Sequence, residues 1–227
     1  MARTVDTQAH AVRRDAFVDA AQRLMQAKGY EQMSIQDVLD EVGASRGAFY
    51  HYFGSKSDLL EAVVVRIVDA ALAAVTPLVD DSAVDAVTKF EGLFRGIVQW
   101  KTERTELMLA LTRVWMSDEN TLMRDKMWRH MTLRMEPLLA VVLRQGNEEG
   151  VFTVGSPEGT ARTLVALLHG LNDAAVRLFL SHVEGAETGA EAQGLADAYV
   201  EALERILGVP AGTLHLTDRR TLRKWYG

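Results

Sequence analysis

One pentapeptide in this sequence has the form of a chemical device. Gly43-Ala44-Ser45-Arg46-Gly47 satisfies the G-x-S-x-G pattern in which a serine becomes a nucleophile. That chemistry needs a strand directly before Ser45, a helix after it, and an Asp or Glu and a His later in the chain. The preceding residues are SIQDVLDEV, with Ile35, Val38, Leu39 and Val42 at helical spacing, so the strand is missing. Other reactive constellations are also missing. There is no cysteine, which removes disulfides, thiolate zinc sites and thiol nucleophiles together and fits a reducing compartment. HExxH, phosphate-loop and dinucleotide fingerprints do not occur, and no two histidines sit at helical metal-ligand spacing with a carboxylate partner. The expectation is a chain that is not an enzyme and holds no cofactor or metal.

The same letters suit a second use, as the turn and second helix of a DNA-reading pair. Ser45 can cap a helix over 46–53, and winding it at about 100° per residue separates two faces. Phe49, Tyr52 and Phe53 gather on one side, fit for packing. Arg46, Gly47, Tyr50 and His51 gather on the other, as donors, stacking groups or small residues. Eight residues rise about 12 Å, comparable to the width of a major groove. Gly47 and Ala48 would let the backbone approach base edges, and Arg46 is the candidate for bidentate contact with guanine. Ser34 heads the preceding helix, Lys56 lies before the next one, and His51 and Tyr52 can reach sideways, all toward phosphates. Gln36 can touch backbone or base. Singly, each of these residues is more often ordinary solvated surface than a contact; it is their gathering around one turn that points to DNA.

The elements that must position this helix are themselves helical, and the fold class is all-α. Phe17, Ala20, Ala21, Leu24 and Met25 form the stripe of a first amphipathic helix stopped by Gly29. Ser34 and Asp37 form a near capping box for the second, and Gly43 ends it. A long fourth helix runs from Ser57 to about Pro77, followed by helices near 83–101, 104–116, 119–148 (with a kink expected at Pro137), 157–182 and 190–207. Only VFTV, 151–154, reads as a strand, and after Val209-Pro210 a polar, basic tail with Arg219, Arg220, Arg223 and Lys224 is expected to be mobile.

Net charge is −6, yet residues 1–56 carry seven Lys/Arg against seven acids, so the acidic excess lies downstream. That balance permits a basic face on the N-terminal segment without proving one. The start lacks an apolar signal core and no later apolar run reads as a membrane span, so a cytoplasmic location with no membrane partner is expected.

From Asp15 to Ala62, through AAQRLMQAKGYEQMSIQDVLDEVGASRGAFYHYFGSKSDLL, the chain closely resembles the DNA-binding domain of the tetracycline-repressor (TetR) family. Weaker similarity extends over EEGVFTVGSPEGTARTLVALLHGL. The resemblance implies a helix-turn-helix domain of three helices joined by a long fourth helix to a larger helical ligand-binding and dimerisation domain. It also implies a transcriptional regulator of double-stranded operator DNA. By that analogy Ser34, Gln36, Ser45, Arg46, Gly47, Ala48, Tyr50, His51, Tyr52 and Lys56 match positions that commonly meet DNA. The sequence departs from the pattern at Val38-Leu39-Asp40-Glu41, which adds negative charge near the turn. The domains so expected are 1–56 for DNA, 57–209 for ligand and dimer, and 210–227 as the tail.

A helix-turn-helix reads a palindrome through a second copy, so a homodimer is expected. Ala166, Gly170 and Ala174 leave a smooth stripe on the 157–182 helix, and Leu195, Tyr199, Ala202, Leu203 and Ile206 line the last one. Two such helices from each subunit would make the four-helix interface that the resemblance implies; burial of both faces within one subunit is the alternative. Met123, Met127, Met131 and Met135 form a stripe, with Met108, Trp100, Trp115 and Trp128 in or beside the same region. Plain core explains that stripe, and so does a pocket for a small, largely apolar effector with polar contacts from His130, His169, Asn172, Asp173 and Arg177. The function expected is a repressor released by such an effector. An all-helical small-molecule-binding protein or enzyme without a DNA role is the rival.

Overall fold

The computed structural model describes residues 2–115, 121–216 and 218–227, with side chains described outside 2–7, 113–115 and 122. Among the described residues the regular elements are all helices, as the periodicity requires: α1 (Ala2–Lys28), α2 (Ile35–Val42), α3 (Arg46–Tyr52), α4 (Lys56–Asp80), α5 (Ala86–Thr102), α6 (Thr105–Trp115), α7 (Thr121–Glu148), α8 (Pro157–Val183), α9 (Gly189–Leu207) and α10 (Arg219–Tyr226). They fall into two compact units, one of residues 1–68 and 104–127, the other of 69–103 and 128–227. The boundary crosses α4 and α7 and does not follow the linear division at residue 56, because helices of 25 and 28 residues contribute different stretches to different cores.

In the first unit α1 buries Phe17, Ala20, Ala21 and Met25 of the stripe read from the sequence, with Leu24 half-buried, against Val38 and Leu39 of α2 and Phe49 of α3. Helix α4 adds Leu59, Leu60, Val63 and Val64, and α7 adds Met123 and Met127. Ser55 opens α4 by accepting from the Asp58 N–H at 3.0 Å, while Asp58 accepts from the Gly54 N–H at 3.0 Å. Helix α4 continues through Pro77 to Asp80, beyond the stop expected there.

In the second unit Gly92 and Gly96 let α5 lie close against α4: a Cβ at either would overlap Leu78 Cδ2 or Val75 Cγ1. The segment 151–154 is not a strand. Its backbone is taken up by helix ends: the Val151 and Phe152 N–H groups donate to Gly146 O, and Thr153 N–H donates to Leu207 O. Asn147 brackets Val154 on both sides, donating to its carbonyl at 2.8 Å and accepting from its N–H at 3.1 Å. Alternation of apolar residues here serves to bury Phe152 and Val154 from an extended loop.

Residues 210–227, expected as a mobile tail, are instead built into the second unit. Leu214 and Leu216 are buried, and Asp218 caps α10 by accepting from Thr221 N–H. Trp225 Nε1 donates to Thr102 Oγ1 at 3.0 Å and lies edge-on to Phe179, with ring centroids 5.2 Å apart. Trp225 and Tyr226 are half-buried, while Arg219, Arg220, Arg223 and Lys224 of the same helix are exposed.

Helices α4 and α8 each contain an 18-residue window apolar enough by composition to cross a bilayer, with mean hydropathy 2.0 and 1.3. The α4 window is 44% buried, and the charged residues that interrupt this helix are paired, Arg66 with Asp19 and Asp69 with His130 and Arg134.

Candidate nucleic-acid interface

The turn between α2 and α3 is built by three consecutive backbone choices. Gly43 ends α2 in the left-handed region, φ 66°, and its N–H and that of Ala44 both close on Leu39 O. Ser45 then turns the chain out at φ −80°, ψ 158°, and its Oγ accepts from the Ala48 N–H at 3.2 Å. Ser45 is a helix cap preceded by a helix, and the nucleophile geometry is not formed.

Helix α3 divides as its sequence requires. Phe49 is fully buried and Phe53 nearly so, and both rings meet Phe17 of α1, at centroid distances of 5.8 and 6.2 Å. Arg46, Gly47, Tyr50 and His51 are exposed on the other face, and Ala48 is half-buried beside them. A Cβ at Gly47 would meet nothing closer than Ser45 Oγ at 4.0 Å, so that glycine leaves the surface open. Tyr52 is half-buried, turned between Phe17 at 5.7 Å and His10 at 4.6 Å. His10 also stands 5.5 Å from His51. That neighbour was not anticipated, since nothing in the helical stripe of α1 singles it out.

The flanking residues are more engaged than their spacing suggests. Ser34 does head α2, but Asp37 already occupies its amino end: the Ser34 N–H and Oγ–H donate to Asp37 Oδ2, each at 2.7 Å, and Lys28 pairs with the same carboxylate at 2.7 Å. These donors, Lys28 first, hold the Asp37 carboxyl far below the usual carboxylate range. Gln36 donates its amide to Asp40 at 2.8 Å. Lys56 sits over the Tyr30 ring at 4.1 Å and donates to Glu31 O at 3.4 Å, and desolvation lowers its pKa. Other bases of this unit are paired as well: Arg23 with Glu41, Arg66 with Asp19, Lys126 with Glu61. Arg46 and Arg13 have no such partner among the described residues, so a positive charge at the head of α3 is left available.

The residues expected around an effector divide between the units. Met108, Met123 and Met127 belong to the first; Met123 and Met127 are buried in its core, as the plain-core alternative holds for that part of the stripe. The side chain of Trp115 lies outside the described residues. Trp100, Trp128, Met131, His169, Asn172 and Asp173 belong to the second. There Trp128 stacks on His169 at 3.8 Å and 25°, and His169 pairs with Asp173 at 3.5 Å. Lys101, which the sequence did not single out, donates to Asn172 Oδ1 at 3.3 Å, and burial lowers its pKa. Arg177 is exposed, and His130 is taken up by Asp69 at 2.9 Å.

On the expected dimer face, Ala166 and Gly170 are exposed and Ala174, Leu195, Tyr199, Ala202 and Ile206 are half-buried. Leu203 is a correction: it is 1% exposed, turned into the core of its own unit beside Leu207, with no surface left for a partner. A Cβ at Gly170 would come 3.1 Å from the Tyr199 hydroxyl, so part of the small-residue stripe accommodates α9 of the same chain.

Residues 17–63 match the family described as bacterial regulatory proteins, tetR family. Over 151 residues the chain is 25% identical to the HTH-type transcriptional repressor KstR2 of Mycobacterium tuberculosis, spanning 62% of this chain and 69% of that one. It is 24% identical over 214 residues to the uncharacterized HTH-type transcriptional regulator YfiR of Bacillus subtilis, spanning 88% and 95%. In fold it is similar to RolR in complex with resorcinol, with a TM-score of 0.63, 20% identity and 95% of each chain covered.

Proposed function

We propose that this chain, whose residues 17–63 match the family of bacterial regulatory proteins, tetR family, works in the cytoplasm as a homodimer that blocks transcription at a palindromic operator and lets go when a small effector binds. It is a transcriptional regulator and not an enzyme. The observation that carries the DNA-reading role is the division of α3: Phe49 and Phe53 anchor it while Arg46, Gly47, Tyr50 and His51 stay outside. A short helix held by aromatic anchors on one side and bearing an unpaired guanidinium on the other suits major-groove entry.

Two copies would place two such helices at half-sites about 34 Å apart or a multiple of that. Support for a partner comes from α8, whose most apolar window is only 22% buried within one chain. A second α8 would cover Ala166 and the residues beside it. Helix α4 contributes to both units, so a ligand held in the second unit has a continuous element through which to bias the first. Such a ligand acts through its differential affinity for the DNA-bound and released states, typically about 1–3 kcal/mol. The test is binding to duplex DNA from upstream of its own gene across a salt series. A log–log slope of about −0.9 per neutralised phosphate is expected; a flat profile would contradict the DNA-reading role.

A further inference from the structure

The second unit holds a group of donors without acceptors. Lys101 near the end of α5 and Asn172 of α8 meet at 3.3 Å, Nζ to Oδ1. An ammonium can only donate, so the amide atom facing it is the oxygen, and both N–H bonds of Asn172 Nδ2 point elsewhere. Among the described residues neither those N–H bonds nor the remaining two of the ammonium have an acceptor, and no carboxylate lies within ion-pair distance of Lys101. The nearest acid along α8, Asp173, is held by His169.

Lys101 has no evident structural role that explains this. A lysine in the last turn of a helix ordinarily serves the terminal carbonyls, but here Lys224 of α10 does that, donating to Thr102 O at 3.2 Å. Burial disfavours the charge on Lys101, and one long bond to a neutral amide compensates little. Beside the pair, three residues along α8, His169 stacks on the buried Trp128 of α7. An ammonium without a counter-ion and an amide N–H next to an aromatic wall is the complement of an organic acid: two oxygens for the donors, an apolar body for the rings.

We infer that the effector is an organic carboxylate, and that the Lys101–Asn172 pair is the seat of its carboxylate group. This rests on the effector-released reading above and narrows it from a largely apolar molecule to an amphipathic anion. One ammonium and one amide suit a monoanion with two oxygens, which is why the class is carboxylate and not phosphate.

The test uses the full chain and matched probes, each acid against its own primary amide: benzoate and benzamide, 2-naphthoate and 2-naphthamide, octanoate and octanamide, at millimolar concentration in thermal unfolding. At least one acid should raise the midpoint of the wild-type protein where its amide does not. Lys101→Met should weaken that acid roughly ten- to hundredfold, the weight of a charge-assisted hydrogen bond, and Lys101→Arg should retain part of it. Without ligand, Lys101→Met should be at least as stable as wild type, because a desolvated charge is replaced by an apolar chain of similar length. If no acid exceeds its amide, or Lys101→Met responds as wild type does, the inference is overturned. DNA binding by unliganded Lys101→Met separates the two readings, since Lys101 is not in α3: a protein that binds acids through Lys101 yet ignores DNA would overturn the regulator reading and leave the site standing.

Discussion

Changing Arg46 to alanine separates reading of DNA from integrity of the fold. Arg46 is the first residue of α3, exposed, and makes no hydrogen bond, ion pair or ring contact among the described residues. Nothing in the fold depends on its guanidinium, and alanine is a good helix former, so stability should move by no more than about 0.5 kcal/mol. If each copy reads a guanine bidentately, the loss is roughly 1–3 kcal/mol per half-site, and about 2–6 kcal/mol for a dimer on two half-sites. At the lower limit that is about a thirtyfold weaker dissociation constant. The assay is fluorescence anisotropy with a duplex selected from random sequence and a scrambled control, each at several salt concentrations, alongside a urea unfolding curve. A base-reading arginine predicts that the variant loses affinity for the selected duplex, keeps its salt slope and barely changes on the scrambled one. A phosphate-binding arginine would instead weaken both and shallow the slope by about 0.9 per phosphate. Unchanged affinity for the selected duplex refutes the assignment of Arg46.

Gly146→Ala should destabilise the second unit by about 1–3 kcal/mol in urea, since the added methyl overlaps the buried Phe152 ring and that ring has nowhere to go. Asp37 gives an acid-limb prediction: its folded pKa is held below the unfolded carboxylate value of about 3.9, so its contribution is present above that value and drains away as pH falls below it. Asp37→Asn should therefore lower stability at neutral pH and flatten the acid limb of a urea-midpoint titration; an unchanged limb would show that the Lys28 and Ser34 contacts carry nothing. Ala166→Glu, exposed in the single chain, should shift sedimentation from dimer toward monomer with an unaltered helical circular dichroism spectrum.

Helix α3 was legible because its determinants are local. Gly43, Ser45 and the aromatic spacing of Phe49 and Phe53 act within a few residues, and the cap and burial they imply are the ones formed. What escaped depends on partners far along the chain. The extended residues 151–154 look like a strand until Gly146, Asn147 and Leu207 take their backbone groups. The tail looks solvated until Thr102 and Phe179 receive Trp225. Leu203 was read with Leu195, Tyr199, Ala202 and Ile206, yet it alone of the five is wholly buried in its own chain. The contacts that Lys56 makes with Tyr30 and Glu31 likewise carried no sequence signal. Lys101 carried no signal at all, because what sets it apart is an acceptor that is missing from a neighbouring helix. The pentapeptide that resembled a catalytic elbow was decided by what precedes it, a helix ended by a left-handed glycine.

The central claim, that paired copies of α3 read a palindrome, is tested most directly by protection footprinting on a duplex selected by the protein from random DNA. Two protected half-sites are predicted, related by a twofold axis, centred about 34 Å or a multiple apart, and both lost in the Arg46→Ala protein. Selection that enriches no sequence, or a single asymmetric footprint that survives loss of Arg46, would contradict the account.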